Sequence, residues 1–252
     1  MRYSALVHDA DVALYYYNGY DPSPAFKLTA EAIGVPDASA ASPLHVRDLS
    51  GATTLSPAFE RIQSGGADAA YALDNFTLRV EAAFVHGRPF ARDLRTLIDD
   101  PSQLAPELTN ALRHLAAGDG RFPVSLPDSF VTRNATEWAV GCDSTFNGYW
   151  VLLQLNQTDV LNNHVNLLIK DAETRILLNF RKSFLEDRVT LRFVGIHSIE
   201  SDYTTVRSRL TYRLTDEVSI EGGYLLVAGR SASLIGQYGD NDEAWIGFNI
   251  KL

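Results

Sequence analysis

The sequence predicts an all-β fold, an antiparallel transmembrane β-barrel, on three observations. Apolar and polar residues alternate in one stretch after another, the connections between stretches alternate between short and long, and the alternation runs to the last residue. Period-2 alternation gives each face of a strand its own side-chain set, as a strand between oil and a wet interior requires.

Composition sets the frame. The 252 residues are 46% hydrophobic and 21% charged, which excludes a disordered chain. No apolar run approaches the ~20 residues of a spanning helix. Mean hydropathy is −0.09, but barrel strands escape that average, since they cross in ~9–11 residues of which every second one is free to be polar. A net charge of −9 implies no general affinity for nucleic acid. Cys142 stands alone, which excludes an internal disulfide and a cysteine metal cluster.

In chain order, strands are expected at 2–8, 11–18, 58–71, 75–87, 136–146, 148–157, 174–184, 187–199, 202–214, 217–228 and 243–252. Phe76, Leu78, Val80, Ala82 and Phe84 alternate with Thr77, Arg79, Glu81 and Ala83. Ile176, Leu178 and Phe180 alternate with Arg175, Asn179 and Arg181, and Val189, Leu191 and Phe193 with Arg188, Thr190 and Arg192. Val206, Leu210, Tyr212 and Leu214 lie opposite Arg207, Arg209 and Arg213. Val218, Ile220 and Tyr224 lie opposite Ser219 and Glu221. At the end of the chain Ala244, Ile246, Phe248, Ile250 and Leu252 form the apolar set of a membrane-facing strand, with Trp245, Gly247, Asn249 and Lys251 between them. Soluble domains more often finish in frayed polar residues.

Short turns fall at 8–11, 72–75, 146–148, 185–188 and 215–217. The other connections, at 19–56, 87–135, 158–173, 200–202 and 229–240, are longer but for one. Outer-membrane barrels segregate short periplasmic turns from longer extracellular loops in this way. The segment 19–56 carries Pro22, Pro24, Pro36 and Pro43 and reads as an irregular loop. The segment 88–135 is expected to be a long extracellular loop holding a short helix. Pro106 suits a first turn, Leu108, Leu112 and Leu115 share a face, and Gly118 suits a stop. About eleven strands is an odd number for a closed bacterial barrel, and the first nine residues lack the apolar core of a signal peptide. The expectation is therefore a single β-barrel domain over 1–252 that is incomplete at its N-terminus.

Three stretches carry a family resemblance: Asp11–Pro24 (DVALYYYNGYDPSP), Leu78–Phe84 (LRVEAAF) and Gly236–Glu243 (GQYGDNDE). They resemble a family of proteobacterial outer-membrane proteins of unknown function, often encoded near hydrocarbon- or steroid-degradation genes. The resemblance implies a larger barrel of which this chain is the C-terminal portion, and a role in passage of substrates across the outer membrane. The chain ends in Leu252 where such barrels commonly end in phenylalanine.

The candidate chemistry lies on the polar faces. Arg79, Glu81, Arg175, Arg181, Arg192, Arg207, Arg209, Arg213 and Glu221 are the candidate pore-lining residues. From 175 to 213 eight Lys/Arg face four acids, a local balance of +4 against −9 for the whole chain. A basic wall in a low-dielectric pore attracts anions; the structural alternative is that these arginines pair with Glu81, Glu221 and acids of the expected missing part of the barrel. Aromatics such as Tyr203, Tyr212, Tyr224 and Trp245 suit interfacial girdles or ordinary packing. Asp240–Glu243 lacks the glycine and spacing of a calcium loop. No nucleophile elbow, zinc-protease motif, phosphate loop or dinucleotide fingerprint occurs, and the six histidines are scattered, so no enzyme is expected.

Together these features point to a bacterial outer-membrane channel, porin-like, for passive passage of small anionic or amphipathic organic solutes. It needs no cofactor. Its expected partners are outer-membrane lipid, the solute, and the barrel-assembly machinery acting through the C-terminal strand. A soluble all-β ligand-binding domain and an outer-membrane surface scaffold or adhesin acting through its loops are the alternatives.

Overall fold

The computed structural model describes residues 1–36, 46–93, 109–110, 113–114, 117, 121–124, 129–231, 233 and 235–251. Its strands are β1 (Arg2–Val7), β2 (Ala10–Tyr20), β3 (Ala25–Pro36), β4 (Val46–Ala58), β5 (Arg61–Leu73), β6 (Phe76–Ala91) and β7 (Arg121–Val124). They continue as β8 (Phe130–Phe146), β9 (Tyr149–Leu161), β10 (Ala172–Phe184), β11 (Val189–Ser198), β12 (Tyr203–Arg213), β13 (Val218–Gly229) and β14 (Glu243–Ile250).

Eleven of these form one sheet in the order β1-β2-β5-β6-β8-β9-β10-β11-β12-β13-β14, every neighbour antiparallel. The eleven expected strands are thus all present near their expected places, and three further strands lie outside this sheet. The sheet is open: β1 pairs only with β2, and β14 only with β13. The tight ends follow from local chemistry. His8 and Asp9 both have positive φ (48° and 66°), as do Asn147 and Gly148 (48° and 73°). Two successive residues of that kind give the hairpin turn whose twist matches the strands it joins.

One expectation is corrected. The 19–56 segment is not irregular: β3 and β4 pair from Ala25↔Ala58 onward, and β7 adds to β3, giving a second sheet of order β4-β3-β7. The prolines misled because they punctuate strands here. Pro22 and Pro24 precede β3, and Pro36 ends it at a register shift. Pro57 sits in β4, an edge strand, where a missing N–H is tolerated. Ser129 ties this sheet to the main one, its hydroxyl accepting from the Leu28 amide and donating to the Phe26 carbonyl. The strands around the long loop also run further than expected, β6 continuing past a register shift at Val85/Arg88 to Ala91 and β8 starting at Phe130. Of the expected helix, Leu108, Leu112, Leu115 and Gly118 lie outside the described residues, as does Leu252, while the described residues 109–110 and 113–114 are helical.

A soluble domain would bury its large apolar side chains; this sheet displays them. Leu78, Val80, Val140, Leu153, Ile176, Leu178, Leu210 and Tyr224 are exposed on one face, and Ile246, Phe248 and Ile250 are 74%, 67% and 67% exposed. The few buried apolar residues include a small cluster at the loop end, Phe90, Ala135 and Val160, covered by Leu167 and Ile169 of the β9–β10 connection. Contiguous exposed apolar surface on this scale is foreign to a water-soluble monomer.

Candidate functional site

Residues directly opposite in adjacent strands share a face, so the register assigns the polar side chains. Arg181 is opposite Arg192, and Arg192 is opposite Arg209, a row of three guanidinium groups across β10, β11 and β12. Gly223 and Trp245 extend that row across β13 and β14. Arg207 lies between Val194 and Leu225, and Arg213 opposite Ser219. Arg175 joins Asn156, Ala139 and Glu81 in another row, and Arg79 joins Gly141, Gln154 and Leu177 in a third. All nine polar-face candidates, Glu221 included, occupy the same face.

That face is concave. A cavity of about 430 Å³ is lined from eight strands, by residues including Tyr15, Ser64, Glu81, Glu137, Asn156, Arg175, Ile196 and Tyr203. Arg175 donates to the Thr158 hydroxyl at 3.3 Å, while its buried Nε has no hydrogen-bond partner.

The charges divide unevenly. Toward the N-terminal side, Arg2 meets Asp68 at 2.9 Å, Arg79 meets Asp143 at 2.7 Å, and Arg88 pairs with Glu137. Glu81 accepts a 2.7 Å hydrogen bond from the Tyr15 hydroxyl, which crosses Gly66 to reach it. Toward the C-terminal side, Arg209 approaches Glu221 at 3.6 Å, and among the described residues Arg181, Arg192, Arg207 and Arg213 form no ion pair. Pairing with Glu81 and Glu221 therefore accounts for one arginine of the set, Arg209.

Trp245 belongs to this site and not to an interfacial girdle. Its ring centre lies 5.2 Å from the Arg209 guanidinium carbon and 6.0 Å from that of Arg207. The indole lies across Gly223, where an added Cβ would stand 2.5 Å from Trp245 Cζ2. Glycine is what lets an aromatic on one strand touch cations two strands away. The signal for this was present in the sequence, since Trp245 falls between the apolar positions of the last strand. Asp143, Glu137 and Arg88 were missed because their partners are set by register across distant segments.

At the loop end two carboxylates fix the wall. Glu173, 2% exposed, accepts from the Ser198 hydroxyl at 2.5 Å and the Ser201 hydroxyl at 2.6 Å. Glu200 accepts from the Thr174 amide and hydroxyl at 2.5 and 2.8 Å. Partial burial pushes the Glu200 carboxyl up, but the Thr174 donors outweigh it and hold the group below its ordinary value. Asp242 accepts from the Tyr224 hydroxyl and the Val227 amide, which likewise hold its carboxyl low, so the Asp240–Glu243 loop is a brace for β13. Among the described residues no group of three His, Cys, Asp or Glu is placed to hold a metal ion.

The fold and site define a class: an open antiparallel sheet with an apolar exposed face and a polar concave face that is basic on one side. No protein-family model matches the sequence, and no curated protein matches it. Among solved structures, the chain is similar to OmpT, an outer membrane protein of Vibrio cholerae, at 11% identity over 99% of this chain and 86% of that one, with a TM-score of 0.40. It is also similar to the P. putida toluene transporter TodX, at 11% identity over 90% of this chain and 66% of that one, with a TM-score of 0.35.

Proposed function

We propose that this chain is part of an outer-membrane β-barrel that conducts small solutes passively and favours anions or amphipathic organic compounds. The observation that carries the reading is the row Arg181, Arg192 and Arg209, in which Arg209 alone is ion-paired among the described residues, on a concave face whose opposite face is apolar and exposed. The apolar face suits hydrocarbon, and strands of 10–17 residues from β8 to β13 reach or exceed the ~9–11 needed to cross it. The concave face lines the water path, with Arg79, Glu81, Arg175, Arg181, Arg192, Arg207, Arg209, Arg213 and Glu221 along it. Outer-membrane lipid meets Ala244, Ile246, Phe248 and Ile250 on β14, the strand through which the assembly machinery engages the chain.

Planar-bilayer recording under a salt gradient tests this. Reversal potentials should show anion preference; absence of current, or preference for cations, overturns the reading. A monodisperse protein expressed without detergent would favour a soluble all-β domain instead. The β4-β3-β7 sheet at the loop end favours one further role, a surface scaffold. Deleting 25–58 would then abolish binding to a surface partner and leave conductance intact.

A further inference from the structure

We infer that the concave face holds a discrete site for a compact amphipathic carboxylate between β11, β12 and β13. A trough of about 410 Å³ is lined by Arg192, Arg207 and Arg209 and by Val194, Ile196 and Leu225. That volume is within the range of small-molecule sites. The trough shares Ile196 and Thr205 with the larger cavity beneath the loop end, so a solute passes from one to the other along one wall.

Two features separate this trough from a merely basic wall. Arg192 and Arg209 stand directly opposite each other, an arrangement of like charges that costs stability unless an anion or solvent lies between them. Glu221 compensates Arg209 alone, which leaves Arg192 and Arg207 for a ligand. The neighbouring inward positions are also apolar where water alone would call for polar side chains. Val194 and Leu225 flank Arg207 in one row, and Leu177 is opposite Ile196 in another. A carboxylate accepts two parallel N–H bonds from a guanidinium fork, while a short hydrocarbon body covers the apolar side chains. Trp245, stacked against Arg207 and Arg209, limits the directions in which their forks can point.

This site rests on the proposed water path lying on the concave face, but binding is measurable without current. The full chain folded in detergent is titrated calorimetrically with hexanoate, its neutral isostere hexanamide, and inorganic phosphate. Hexanoate should bind saturably, and hexanamide about tenfold or more weakly, the loss of a charge-assisted hydrogen bond. Arg192→Gln should weaken hexanoate by a similar factor; Arg207→Gln serves if that variant yields no folded protein. Leu225→Asn should weaken hexanoate and leave phosphate unchanged. Equal binding of hexanamide, no saturable hexanoate binding, or indifference to these substitutions overturns the site. Anion-selective current without hexanoate binding removes the site and spares the channel; binding without current does the opposite.

Discussion

The two halves of the concave face solve the same electrostatic problem differently. From β1 to β8 the inward arginines that are ion-paired have their carboxylates one or two strands away: Arg2 with Asp68 across β2, and Arg79 with Asp143 and Arg88 with Glu137 on adjacent strands. From β10 to β14 arginine faces arginine, and Arg209–Glu221 is the one ion pair between described strand residues, Arg230–Asp202 lying in the loops. Paired charges on a wet wall contribute little to stability and cancel at a distance. Unpaired ones project a field into the space they enclose. The first half builds wall; the second gives the wall a sign.

That contrast is most directly broken by charge reversal. Arg192→Glu combined with Arg209→Glu should turn anion preference into cation preference in bilayer recordings. Removing the balanced pair with Arg79→Gln and Asp143→Asn together should leave the reversal potential unchanged. If both double variants shift it equally, the division between the halves is wrong.

A smaller effect is expected where stability, not selectivity, is concentrated. Glu173→Ala leaves the buried Ser198 and Ser201 hydroxyls without their acceptor and should cost about 1–3 kcal/mol in urea unfolding. Asp143→Asn, at an ion pair whose arginine is largely exposed, should cost only about 0.2–1 kcal/mol. It should also raise anion preference slightly by freeing Arg79.

The smallest effect is local and set by pH. The Asp242 carboxyl is held low by Tyr224 and Val227, so its bracing of β13 is complete above the ordinary aspartate range and is lost as pH falls through the lowered value. Amide exchange at Val227 should accelerate only in acid below that ordinary range. In Asp242→Asn the acid dependence should vanish.

Much of the architecture was legible because alternation is a local signal. The eleven strands of the main sheet declared themselves, and the arginines of β6, β10, β11 and β12 fell on one face as their spacing required. Which arginine meets which acid was not legible. Arg79 and Asp143 lie 64 residues apart, and their meeting depends on the register of β6 against β8. Glu173 gathers serines 25 and 28 residues away by the same kind of long-range fit. The β3–β4 hairpin was hidden by prolines that cluster at its ends, where composition alone suggests a loop.

The connection between β11 and β12, residues 199–202, is the shortest at the loop end between adjacent strands of the main sheet. Glu173 and Glu200 clamp it down against β10. On one side stands the 162–171 connection and on the other the 230–242 connection, so the rim is notched at this point. The notch sits above the two strands that carry Arg192, Arg207 and Arg209. In the proposed channel, an anion drifting in from the loop end would meet the least obstruction where the attraction is strongest, and the lowest point of the rim would serve as a spout for negatively charged solutes.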